Sequence, residues 1–214
     1  APYVGCFKVG LELLTVEGAR RVVTYIQALG GKIFYDGKFN DIPNTVGKAA
    51  KVVSELNVQI FNVHASAGIE AMTAAVANKG TSLVLAVTVL TSLGENDAHL
   101  IFVAPSKAKV LQFARDAKTA GCDGIICSPQ ELTFLGQHQE LTHLLKITPG
   151  VRPRWAALGD QKRIMSPGDA IKAGATALVI GRPILHPPPA ISTPVEAAKR
   201  IREEIAKALG GFSQ

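Results

Sequence analysis

The feature that most restricts how this chain can fold is an alternation. Short apolar runs rich in β-branched residues recur at 6–14, 32–39, 58–64, 82–90, 124–127, 144–148 and 177–180. Between and after them lie amphipathic stretches at 17–29, 43–56, 69–78, 106–120, 129–144, 166–173 and 194–209. A strand followed by a helix, repeated, brings successive strands together in parallel through right-handed crossovers. The punctuation agrees: Pro43, Pro105, Pro129 and Pro167 stand where helices begin, and Gly30, Gly121 and Gly174 where they stop.

An α/β fold of this kind needs small, packable residues rather than many rings. The chain has them, with 47% hydrophobic and only 6% aromatic residues over 214 positions. No linker or low-complexity segment interrupts the pattern, so one domain over 1–214 is expected. Polar and charged residues gather just after the strands, at 36–44, 64–66, 91–97, 152–163 and 181–182. Functional groups at the C-terminal ends of several strands are the arrangement of a (β/α)8, or TIM, barrel. Seven strands leave two open edges where eight would leave none. The expectation is therefore a barrel whose first strand and helix are missing from the sequence, Ala1 to Gly5 resembling a loop that enters a strand. A strand hidden within 91–103 is the competing explanation.

Other classes are disfavoured. The three cysteines, Cys6, Cys122 and Cys127, have no metal-like spacing and read as buried thiols of a reducing cytoplasm. No basic segment followed by an apolar one opens the chain, and no apolar run approaches the ~20 residues of a membrane span. The net charge of +6 is scattered among acids rather than interleaved with aromatics, which favours a small anionic substrate over nucleic acid. There is no G-x-G-x-x-G, and Gly37-Lys38 is followed by Phe39, so neither a dinucleotide site nor a P-loop is expected. His99, His138, His143 and His186 read as surface residues, and His64, at a strand end, as a hydrogen-bonded structural one.

The densest chemistry is in Phe34-Tyr35-Asp36-Gly37-Lys38-Phe39-Asn40-Asp41-Ile42-Pro43-Asn44-Thr45, a D-x-K-x-x-D motif at a strand end. Residues two apart on a strand share a face, so Asp36 and Lys38 are expected to point the same way, with Asp41 in the following loop. Taken alone, the motif reads first as a surface ion pair.

This run resembles the signature of the orotidine 5′-monophosphate decarboxylase family. Further blocks resemble the same family in the same order: Phe7-Lys8-Val9-Gly10, Asn62-Val63-His64-Ala65-Ser66, Val87-Thr88-Val89-Leu90-Thr91-Ser92, Thr148-Pro149-Gly150-Val151-Arg152, Gly159-Asp160-Gln161-Lys162-Arg163 and Val179-Ile180-Gly181-Arg182-Pro183. The resemblance implies a cytoplasmic (β/α)8-barrel homodimer that converts orotidine 5′-monophosphate to UMP and CO2 without metal or organic cofactor. It further implies a catalytic array of Lys8, Asp36, Lys38 and Asp41, the last reaching into the partner's site. Thr91 corresponds to a pyrimidine contact, Ile42, Asn44 and Thr45 to substrate-binding positions, and Arg152, Gln161, Gly181 and Arg182 to the phosphate side. Two departures stand out: Gly37 replaces a commonly aliphatic residue, which is expected to loosen the strand, and Ala67 replaces a common glycine. The family's ribose-binding aspartate of the first strand has no counterpart here.

Loss of CO2 from C6 leaves an electron pair in an sp2 orbital with no adjacent carbonyl to absorb it, so the barrier is high and an ammonium beside C6 is the natural device. Lys38 is the expected donor, kept charged by acids on either side. Lys8 is expected to hold Asp36, and 152–163, with Trp155, to act as a lid over the phosphate. Gly181 and Arg182 read as an anion seat ahead of a helical turn. The rivals are a Mg2+-dependent sugar-phosphate lyase that shares D-x-K-x-x-D, and a noncatalytic phosphate-binding barrel.

Overall fold

In the computed structural model, residues 2–156 and 165–210 are described. The chain forms two compact units, each made of two stretches: Ala1–Thr88 with Leu111–Ile125, and Val89–Val110 with Ile126–Gln214.

The first stretch runs β1 (Phe7–Gly10), α1 (Leu11–Glu17), α2 (Ala19–Ala28), β2 (Ile33–Phe39), α3 (Pro43–Ser54), β3 (Ile60–His64), α4 (Ile69–Ala77) and β4 (Leu83–Val87). Then follow α5 (Glu95–Phe102), α6 (Ser106–Thr119), β5 (Gly124–Ile126), α7 (Leu132–Gly136), β6 (Leu145–Thr148), α8 (Pro167–Lys172), β7 (Ala177–Leu178), α9 (Arg182–Leu185) and α10 (Pro194–Gly210). The hydrogen-bonded order of the strands follows the chain from β1 to β7. Neighbours β1–β2, β2–β3, β3–β4 and β6–β7 pair in parallel. This is α/β architecture of the TIM-barrel type, with seven strands among the described residues, as many as the sequence pattern contains.

Local chemistry sets the boundaries. Pro43 and Pro167 occupy first-turn positions of their helices, where a missing N–H costs nothing. Gly121 and Gly174 follow their helices with φ of 78° and 106°, a left-handed region that glycine enters freely. The core of the first unit is apolar, with Ile33, Phe61, Met72, Val84 and Leu85 fully buried. In the second unit Leu132, Leu135, Leu141, Ile147 and Ala197 play the same part.

Four expectations change. The apolar run 6–14 is not one strand, because β1 ends at Gly10, which caps α1. The run 91–103 holds no strand but α5, whose first turn is fixed by the Asp97 carboxylate accepting from the Gly94 N–H at 3.1 Å. The stretch 129–144 is not one helix: a 3-10 turn at Pro129–Glu131, α7 and a second 3-10 turn at Gln139–Leu141 divide it. Cys6 is only partly covered, unlike Cys122 and Cys127. Burial raises all three thiols, Cys6 to about 11 and the other two to about 12, so they remain protonated at neutral pH.

Candidate active site

Strands β1, β2 and β3 of the first unit bring three of the expected charges together. Lys8 lies opposite Phe34 in the β1–β2 register, and Gly10 lies opposite Asp36. Lys8 therefore leans along its own strand to reach the carboxylate, and its Nζ donates to Asp36 Oδ2 at 2.8 Å. Gly10 leaves room for this: a Cβ there would lie 3.1 Å from the Lys8 amine. Lys38 Nζ donates to the other oxygen, Oδ1, at 2.7 Å. The Asp36 side chain is only 8% exposed, while Lys8 and Lys38 are 35% and 29% exposed.

Asp36 and Lys38 meet, but not because they alternate on a regular strand. The β2–β3 register passes from Tyr35 opposite Phe61 to Phe39 opposite Val63, so β2 advances four residues while β3 advances two. Asp36, Gly37 and Lys38 form the resulting bulge. Lys38 has φ of 50°, left-handed backbone that a non-glycine residue adopts only when its surroundings impose it. Bulges of this kind re-aim side chains, and here the result is a lysine turned back onto the carboxylate two residues before it.

The constraint comes from Asn62, which is fully buried on β3. Its Oδ1 accepts from the Lys38 N–H at 2.7 Å and its Nδ2 donates to Asp36 Oδ1 at 2.6 Å. Sequence reasoning gave Asn62 no role. The available signal was an amide inside the apolar run Ile60-Phe61-Asn62-Val63, since a buried amide must find partners.

Burial pushes the Asp36 carboxyl up, but hydrogen bonds from Lys38 and Lys8, the Lys8 charge and the Asn62 amide outweigh it and hold Asp36 below the usual carboxylate range. His64, half-buried at the end of β3, is lowered by burial and by the Lys38 charge, against a smaller opposing effect of Asp36. It is therefore neutral at pH 7. The cluster carries two ammonium groups against one carboxylate, and this surplus of positive charge suits an anion.

Gly37 does not leave the strand loose. A Cβ there would come within 2.4 Å of Tyr35 Cε1, so the Tyr35 ring fills the space a side chain would take. Tyr35 in turn lies 6.0 Å from the Phe39 ring, and Phe39 lies 6.0 Å from Phe61.

Asp41 stands apart from the cluster, exposed, with its Oδ1 accepting from the Ile42 N–H at 2.7 Å. Ile42 caps α3, and Asn44 and Thr45 are exposed in its first turn. In the second unit, Thr91 occupies a turn and is half-buried. Arg152 is buried: its N–H donates to Met165 O at 2.9 Å and its Nη1 to Val151 O at 3.3 Å. Gly181 and Arg182, both exposed, open α9, and Gly181 O accepts from the N–H groups of Ile184 and Leu185. Gln161 lies outside the described residues, as does most of the expected lid. Among the described residues no group of three or more His, Cys, Asp or Glu side chains is arranged to hold a metal ion.

Comparison with known proteins gives these groups a context. The sequence model of the Orotidine 5′-phosphate decarboxylase / HUMPS family matches residues 1–201. The chain is 44% identical to an orotidine 5′-phosphate decarboxylase of Heliobacterium modesticaldum, over 97% of this chain and 87% of that protein. It is 45% identical to one of Citrifermentans bemidjiense, over 95% and 86%. Among solved structures, the orotidine 5′-phosphate decarboxylase of Lactobacillus acidophilus superposes with a TM-score of 0.77 at 34% identity, over 92% of this chain and 85% of that one.

Proposed function

The chain belongs to the orotidine 5′-phosphate decarboxylase / HUMPS family, and from that premise we propose that it decarboxylates orotidine 5′-monophosphate to UMP and CO2, with Lys38 protonating C6. The observation that carries this reading is the pairing of two ammonium groups with one buried carboxylate, Lys38 held by Asp36 at 2.7 Å and Lys8 at 2.8 Å.

The step balances without any further reactant. The bond between C6 and the carboxylate breaks, CO2 departs, and the electron pair stays on C6. The Lys38 ammonium stabilises that pair and transfers a proton to it; the resulting amine regains a proton from solvent. The required lowering of the barrier is on the order of 20 kcal/mol, which preorganised charge in a water-poor site is suited to supply. Asp36 fixes the Lys38 amine through an ion pair that exists before substrate arrives, so little reorganisation remains at the moment of reaction. Lys8 holds the second carboxylate oxygen and faces the ribose.

In this reading the working enzyme is a cytoplasmic homodimer using no cofactor. The exposed Asp41 is contributed to the partner's site, where it completes an array of alternating charge. Ile42, Asn44 and Thr45 lie along the bound nucleotide, Thr91 contacts the pyrimidine, and Arg152, Gln161, Gly181 and Arg182 receive the phosphate. Phosphate binding remote from C6 then contributes to catalysis by assembling the site.

The test is turnover of orotidine 5′-monophosphate by the purified protein, followed by loss of substrate absorbance with EDTA present. Release of UMP and CO2 unaffected by the chelator is expected. Mg2+-dependent cleavage or condensation of a sugar phosphate without decarboxylation would replace the proposal with its lyase rival, and UMP binding without turnover with a noncatalytic barrel.

A further inference from the structure

We propose that Asn62 is the positioning residue of this site, a single amide that fixes the backbone of Lys38 with its oxygen and the carboxylate of Asp36 with its nitrogen. The inference rests on the reading that Lys38 is the proton donor.

Three features converge on it. The β2–β3 ladder is interrupted between Tyr35 and Phe39, and in that gap the Lys38 N–H donates at 2.7 Å to the Asn62 side chain. Lys38 is left-handed, so its conformation has to be imposed from outside, and this bond joins its backbone to the next strand. The same side chain donates at 2.6 Å to Asp36 Oδ1, the oxygen that also receives the Lys38 amine. Asn62 thus touches both ends of the Asp36–Lys38 pair, its main-chain anchor and its carboxylate.

The orientation of the amide follows from its partners. Turning it over would set its oxygen against a carboxylate and its NH2 against an N–H, two repulsions in place of two hydrogen bonds. Aspartate has nearly the same shape but only acceptors when ionised. It would keep the bond from the Lys38 N–H and lose the one to Asp36. Asn62 is fully buried, so water does not readily substitute for either bond.

The charged and titratable groups facing Asp36 are Lys8 from β1, Lys38 from β2 and His64 from β3. Removing the Asn62 donor subtracts one of the contacts that hold the Asp36 carboxyl low and leaves the others in place.

The experiment measures Asn62→Ala and Asn62→Asp in the whole protein for kcat, KM, UMP affinity and the pH dependence of kcat. In both, kcat is expected to fall on the order of a hundredfold at pH 7, as for loss of near-ångström alignment. KM and UMP affinity should stay within about threefold, since no ground-state contact is removed. In Asn62→Ala the acidic limb of the kcat profile should move to higher pH. In Asn62→Asp, activity relative to the parent should recover as the pH falls, because the protonated acid can again donate to Asp36. Asn62→Asp, being isosteric, carries the test if Asn62→Ala does not fold.

Variants with parental kcat and an unmoved pH profile, changed only in thermal stability, would overturn the assignment. Failure of the parent to decarboxylate would instead strike the proposed reaction. The Asn62 assignment would then be judged by NMR titration of the Asp36 carboxyl, which should rise in Asn62→Ala and would refute the assignment if unmoved.

Discussion

Among the described residues the first unit contains two lysine–aspartate sites with bonds of nearly equal length, one with a single lysine and one with two, and they have different natures. At the N-terminal ends of β4 and β5, Lys79 Nζ donates to both oxygens of Asp123 at 2.6 Å, and Asp123 Oδ2 also accepts from the Val84 N–H at 2.8 Å. Charge there is matched one to one, and neither residue has left-handed backbone. In the C-terminal half of β2, Asp36 faces two ammonium groups and a buried amide, on a bulge with a left-handed lysine. The Lys79–Asp123 pair is balanced in charge; among the described residues the Asp36 cluster sets two ammonium groups against one carboxylate. Distance does not distinguish the two sites, whereas charge balance and backbone conformation do.

The contrast can be broken most severely by removing one lysine from each pair. Lys38→Ala should lower kcat on the order of 10^4-fold or more, while Lys79→Ala should leave kcat within about twofold and cost about 1 kcal/mol of stability, as for a partly exposed pair. Steady-state kinetics and thermal unfolding check both; similar kinetic effects from the two substitutions would erase the distinction.

A second test uses pH. Asp36 is held below its ordinary value in the folded protein, so its contribution to stability is present above the unfolded carboxylate pKa of about 4 and disappears as pH falls through the lower folded value. The stability difference between parent and Asp36→Asn, measured by denaturant unfolding, should therefore shrink as the pH is lowered from about 5 to 2. A difference constant over that range would mean that the charge on Asp36 contributes nothing to the fold.

The smallest expected effect concerns the bulge. Gly37→Ala should destabilise by about 1–3 kcal/mol through collision with Tyr35, and Tyr35→Leu in the same chain should recover most of that loss. Thermal melts of the single and double variants decide; an additive double variant would separate Gly37 from the Tyr35 ring.

Much of the fold could be read from the chain because strand and helix here are bounded by residues with few alternatives. Pro43, Gly121 and Gly174 stand at helix ends in sequence and structure alike. Reading failed where apolar residues serve either state. The run after Gly10 continues β1 in hydropathy but is helical, and α5 is short, with a polar first turn fixed by one carboxylate. In the site, Asp36, Lys38 and Asp41 stood out as a D-x-K-x-x-D motif, and the family resemblance marked Lys8. The bulge left no such trace, because a change of register depends on two strands at once. Asn62 was hidden for the same reason: its partners lie 24 and 26 positions away, in a strand whose irregularity is visible only once the two are paired.

The left-handed turn at Lys38 has an evolutionary consequence. A glycine at that position would relieve a backbone cost of about 1–2 kcal/mol, so a lineage selected for robustness alone would drift toward discarding the amine. A long, charged side chain at a backbone position that favours glycine makes position 38 a place where stability and the proposed reaction can be weighed against each other directly.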